Sequence, residues 1–436
     1  MNSLYQIEET IKSLGAYFEI YRNAGLTKPA FKKYFLLVLS ILSFVHVPSI
    51  NFLYQWFLSK VDDKHRNSYY EFLKANHSFL PALERITLII ALSVIPQICT
   101  GNPILIAIDD TVQPKFGMKF ENVGKLHDHA AHNGKSFVNG HCFVCLIVKI
   151  PVILPGETTP SYLSVPISSR QYAKDGASKY KIAAGLIDAV MAVLPGDRQA
   201  ILLCDSWYPK GDVILCVKRT PNLEMIAAVR KDTVLYGLPP KKTGKRGRPR
   251  KHGERLDPSH DFVFKAKHGD YHYALRVCMT NLFDEKVYVT ATTKNPEAED
   301  LSYRLYLSTI NPQDISKIFQ EEDAPESMCY RNYSAYRHRW SIETLFYEQK
   351  TFWSFGDYKL RSQAGVEMYH HLMFVAYACM VLLPLVDQKF EHLQSMSILE
   401  RKTYLGQRII GVLFLEGFGV SVENQLNHAV ILKAFA

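Results

Sequence analysis

The 436-residue chain lacks the marks of several protein classes. Its first long apolar run, FLLVLSILSF at 35–44, is half the roughly 20 residues that span a bilayer. A second apolar stretch, 372–386, follows His370 and His371 and ends near Pro384 and Asp387, which predicts a buried core helix. The opening MNSLYQIEET is polar and acidic, unlike a secretory signal. Without an export signal the eight cysteines are expected to stay reduced, in a bacterial cytoplasm close to the nucleoid. No repeat of about 20–50 residues is visible, which excludes a solenoid. Cys142 and Cys145 form the one Cys-x2-Cys, with no second pair at zinc-ribbon or finger spacing. Tryptophan is scarce: Trp56, Trp207, Trp340 and Trp353, none of them within 232–300.

Hydrophobic residues make up 47%, enough for a large core, and a net charge of +9 suits a polyanionic partner. Residues 1–98 have helical spacing and predict an N-terminal helical domain, a DNA-binding one if the resemblance described below holds. ILIAIDD (104–110), 137–150, 162–167, 200–204 and 225–229 predict strands, and 177–194 a helix. This order describes an α/β core with carboxylates at strand ends. Residues 232–300 change character, with a basic loop KKTGKRGRPRKHGER (241–255) and strand-like runs at 261–267, 271–279 and 286–293. The expected division is 1–98, core 99–231, β-rich insertion 232–300, core 301–390, and a helical end 391–436.

One stripe concentrates chemistry. Tyr336, Arg339, Glu343 and Lys350 fall within roughly 60° of one another on a helix turning about 100° per residue, over an expected helix at 330–353. Ile342, Leu345 and Phe352 form the back. Alone, Arg339 and Glu343 are an ordinary i,i+4 surface pair. Asp109, Asp110 and Asp205 change that reading. Each ends an apolar run, where sheets bind ligands. Carboxylates converging from strand ends and a helix suit Mg²⁺, and two such ions about 3.5–4 Å apart serve phosphodiester chemistry.

The spacing Tyr336-x2-Arg339-x3-Glu343-x6-Lys350, within YRHRWSIETLFYEQK, resembles the Tyr–Arg–Glu–Lys signature of the insertion-sequence-four family of DDE transposases. IDDT and CDSWYP are similar to that family's two aspartate motifs. The resemblance covers roughly 100–385 and implies an RNase H-like catalytic core interrupted by a β-rich insertion. It implies that Asp110, in preference to Asp109, binds metal with Asp205 and Glu343, and that the three are catalytic. It places Tyr336, Arg339 and Lys350 on the DNA backbone. It further implies Mg²⁺ or Mn²⁺, two ions, cleavage at transposon ends, transfer into target DNA and a homodimer in the active complex. Some members form a DNA hairpin with a base stacked on an insertion tryptophan; this chain has none there.

The acid-poor loop, with Arg246, Arg248, Arg250 and Lys251, resembles a minor-groove hook and is expected to contact DNA. His127, His129, His132 and His141 cluster near Cys142 and Cys145; they are read as lining the mouth of the active site, with zinc the weaker alternative. Lys359 and Arg361 extend either the DNA track or a solvated surface. Two other functions compete: a transposase-derived DNA-binding protein that no longer cuts, and a structure-specific nuclease on the same fold.

Overall fold

The computed structural model describes residues 2–117, 119–127, 136–241, 250–319 and 328–417. The N-terminal part is helical: α1 (Asn2–Glu19), α2 (Lys28–Ser43), α3 (Asn67–Ala75) and α4 (Leu80–Ser93). Thr27 caps α2 by accepting the Ala30 N–H, the usual answer to unpaired donors at a helix start.

The sheet begins at the predicted run and is longer than it: β1 is Ile104–Pro114. It continues with β2 (Phe137–Val152) and β3 (Ser161–Tyr172), both antiparallel. β2 is buried from Gly140 onward, as expected of a continuous apolar run covered on both faces. Helix α5 (Lys179–Met191) leads to β4 (Ala200–Cys204), parallel to β1, and α6 (Gly211–Arg219) leads to β5 (Leu223–Val229), parallel to β4. A Cβ on Gly140 would collide with the Gln113 carbonyl oxygen, so only glycine lets β1 and β2 close at that point.

Residues within 232–300 continue this sheet. β6 (Tyr271–Thr280) and β7 (Val287–Thr293) pair antiparallel, and β8 (Tyr303–Ser308) joins β7 to β5. The order β3–β2–β1–β4–β5–β8–β7–β6 is therefore unbroken. The expected strand at 261–267 is not formed as such. Asp257 accepts the Ser259 N–H and starts a short helical turn at Pro258–Asp261, and only Ala266–His268 is a strand.

The helix predicted over 330–353 is two helices: α7 (Met328–Arg337) and α8 (Ser341–Trp353), separated by a 3₁₀ turn at His338–Trp340. The His338 carbonyl accepts from Ser341 Oγ (2.9 Å) and Lys149 Nζ (3.3 Å), which competes with regular α bonding there. Helix α9 (Gln363–Val386) is long and apolar enough to cross a membrane, but 89% of its most apolar window is buried in the protein. It is a core helix, packed beneath the N-terminal helices: Tyr369 donates to the Val47 carbonyl (3.0 Å) and Tyr34 meets His371 (3.4 Å). A bidentate Arg170–Glu84 pair (2.6 and 2.7 Å) ties β3 to α4. Helix α10 (Ile398–Gly417) follows.

Candidate active site

The site grows from the middle of β1, where its apolar run closes; the strand-end position expected for Asp109 and Asp110 is not what forms, since β1 runs on to Pro114. Ile104 to Ile108 are fully buried, and the chain reaches partial exposure at Asp109 and Asp110. Successive strand side chains point to opposite faces. Asp109 therefore joins the face of Ala107, and Asp110 that of Ile108.

On the Asp109 face, Arg339 is the hub. Its Nη1 donates to Asp109 Oδ2 at 3.0 Å and its Nη2 to Glu343 Oε1. The 3₁₀ turn carries Arg339 inward, where only 7% of it is exposed. Its guanidinium carbon lies 5.5 Å from the centre of the Tyr336 ring, and Tyr336 packs on Tyr306 with ring centres 4.9 Å apart. Burial raises the Tyr336 phenol, with Arg339 opposing the rise. Asp205 directly follows β4, whose Cys204 is level with Ile108 across the sheet. Its Oδ1 accepts the Trp207 N–H at 3.0 Å.

Burial pushes the Asp109 carboxyl up to about 7; the Asp205 charge adds to the rise and Arg339 opposes it. Burial likewise raises Asp205. Two carboxylates crowded in a dry cleft repel, and a cation between them is the natural relief. Lys350 is exposed on α8, and its charge opposes the burial-driven rise of Cys145, the residue paired with Asp109 across β1 and β2. Tyr336, Arg339, Glu343 and Lys350 thus share the side of β1 that carries Asp109.

Asp110 sits differently. Its carboxylate accepts from Lys179 Nζ (2.6 Å), Tyr208 Oη (3.0 Å) and Cys142 Sγ (3.1 Å). Burial works against the Lys179 charge, yet Asp110 raises that ammonium to about 12. Arg339 therefore joins Glu343 to Asp109 rather than to Asp110, while the Asp110 charge still adds to the rise of Asp205. Strand alternation turns Asp110 toward α5, where its oxygens are already engaged.

Beside Asp205 and Arg339 opens a cavity of about 930 Å³. Six cations line it, namely Lys149, Arg230, Lys231, Arg304, Arg337 and Arg339, against the single carboxylate of Asp205. Lys149 was not anticipated from the sequence. It lies in an apolar strand, is 7% exposed, and burial pulls it down to about 8. Only its cross-strand position beneath the 338–340 turn reveals it.

Arg246 and Arg248 lie outside the described residues. Arg250 and Lys251 are exposed, and no described contact joins them to the carboxylates. His129 and His132 also lie outside. His141 does not line the mouth. It is fully buried, 2.5 Å from Tyr358 Oη, and burial lowers it to about 4. All eight cysteines, each among the described residues, carry free thiols. Among the described residues no three His, Cys, Asp or Glu side chains already converge as a metal centre. Around Asp109 and Glu343 the intervening position is taken by the Arg339 guanidinium.

Fold and site together define an α/β protein with an acidic centre, on β1 and just after β4, set against a cationic cleft. Residues 55–272, half of the chain, match the family model for DDE superfamily endonucleases, and the chain belongs to that family. It is therefore, at the level of the family, an enzyme of transposase-type DNA cleavage with DNA as substrate. The match includes Asp109, Asp110 and Asp205 and stops before Glu343. No curated protein matches the sequence.

Proposed function

We propose that the protein is a transposase that cuts DNA at the ends of a mobile element and joins those ends to target DNA, using Asp109, Asp205 and Glu343 to hold divalent cations. The observation that carries this reading is the Arg339 bridge between Asp109 and Glu343 beside Asp205. The order β3–β2–β1–β4–β5, with three antiparallel strands followed by two parallel ones, supports an RNase H-like core. Residues 232–300 would be its insertion, and 1–98 the part that recognises element ends.

The donor set fits Mg²⁺ or Mn²⁺: hard cations take carboxylate oxygens, and Asp109, Asp205 and Glu343 supply them around the Arg339 guanidinium. Two bound ions would supply an activated nucleophile and a stabilised leaving oxygen. The chain's own residues do the rest. Arg339 and Lys350 hold the phosphate, with charge-assisted bonds that Arg makes in pairs. Tyr336 supports Arg339 through its ring. The cationic cavity receives the strand beyond the scissile bond. In cleavage, a water oxygen bonds to phosphorus, the P–O3′ bond breaks, and the 3′-oxygen leaves as a hydroxyl. In transfer, that 3′-hydroxyl attacks a target phosphodiester, whose own 3′-oxygen departs. Two ends must be joined at one place, so a homodimer is proposed for the active complex, in the cytoplasm.

The test is cleavage and strand transfer on DNA carrying the gene's flanking sequences, with Mg²⁺. Alanine at Asp109, Asp205 or Glu343 should abolish both steps while DNA binding persists. Full cleavage by all three variants would refute the assignment. Cleavage by the wild-type protein with no joining of pre-cut ends would instead indicate a structure-specific nuclease.

A further inference from the structure

Arg339 occupies a place of unusual conflict. It belongs to the stripe proposed to bind DNA, yet its guanidinium is turned away from solvent. Two of its nitrogens are spent on Asp109 and Glu343, and its buried Nε has no hydrogen-bond partner among the described residues. It also lines the cationic cavity that contains Asp205. The same side chain thus borders two places of opposite charge, the carboxylates and the cleft suited to phosphate. It cannot neutralise both at full strength.

We propose that Arg339 is a stand-in cation that couples metal loading to DNA binding. Without DNA, its guanidinium neutralises Asp109 and Glu343 and competes with divalent ions for their oxygens. A DNA phosphate in the cavity draws the guanidinium away and releases both carboxylates. By linkage the coupling is reciprocal: cations at the carboxylates release Arg339 toward phosphate. The site therefore stays weakly loaded until DNA is in place, which limits hydrolysis of other phosphodiesters. This inference rests on the metal assignment proposed above.

The experiment measures Mn²⁺ binding to the full chain by calorimetry and by Mn²⁺ spin resonance, with and without duplex DNA at low salt, using Ca²⁺ as competitor to avoid turnover. For the wild type, DNA should tighten Mn²⁺ binding about tenfold, within the usual range of coupling between sites. Arg339→Gln should bind Mn²⁺ about tenfold more tightly than wild type without DNA, and DNA should add little further. Arg339→Lys keeps the charge but replaces the planar two-armed guanidinium with a single ammonium, so it should fall between; it also serves if the glutamine variant fails to fold. Unchanged or weaker DNA-free Mn²⁺ binding in both variants would overturn the coupling. The metal assignment fails separately: Asp109→Asn and Glu343→Gln would then bind Mn²⁺ as wild type does, or wild type would bind none even with DNA.

Discussion

Asp109 and Asp110 are adjacent in the chain and live on opposite sides of β1. Asp109 meets an arginine shared with Glu343, beside Asp205 and a cleft rich in cations. Asp110 is wrapped by an ammonium, a phenol and a thiol. One carboxylate shares a buried counter-charge with Glu343, the arrangement proposed above for a metal site. The other has three fixed donors from α5, β2 and the loop after Asp205, the arrangement of a clamp. Identity of side chain and closeness in sequence say nothing about which is which; the neighbours do.

The largest expected effect tests that contrast directly. Asp109→Ala should lower Mg²⁺-dependent cleavage by about a thousandfold or more, several kcal/mol of lost transition-state stabilisation. Asp110→Asn should lower it by about tenfold to a hundredfold, the scale of a residue acting through its neighbours. Measured single-turnover rates in the reverse order would exchange the two roles.

Stability should invert the ranking. Asp110→Ala leaves the Lys179 ammonium and the buried Tyr208 hydroxyl without their acceptor. Because Lys179 is partly exposed, the expected loss is about 1–3 kcal/mol in denaturant unfolding.

Asp109 should make stability depend on pH. Its folded pKa, about 7, lies above the ordinary 3.8. Below about pH 4 it is protonated in both states and costs nothing. Between about 4 and about 7 the folded protein retains a proton that the unfolded chain releases, so stability falls as pH rises. Metal-free Asp109→Asn should therefore gain on the wild type from pH 5 to pH 8, by an amount on the order of 2–4 kcal/mol. A constant difference across that range would show that Asp109 carries no such penalty.

The smallest effect concerns the edge of the basic loop, proposed as a DNA contact. Arg250→Ala and Lys251→Ala should each reduce the slope of log affinity against log salt by about one and leave cleavage at saturating DNA intact. An unchanged slope would assign these exposed cations to solvent.

Much of this was readable from residue order. The apolar runs ending in Asp110 and Cys204 are strands because they are too short and too apolar to be surface helices. The stripe from Tyr336 to Lys350 marked one side of a helical segment because 3.6-residue spacing maps onto an angle. Two things were hidden. The break at His338–Trp340 depends on a carbonyl shared with Lys149 and Ser341, and Lys149 is 189 residues away from His338. The buried role of His141 depends on Tyr358, 217 positions on.

The sequence by itself determined that two carboxylates close the apolar run of β1, that another follows β4, and that a glutamate lies between cations in a helical segment, because periodicity is a local property of the backbone. Which of Asp109 and Asp110 faces Glu343 was decided only by tertiary structure. A strand has two faces of equal standing until helices pack on them, and here α5 took one and α8 with its preceding turn took the other.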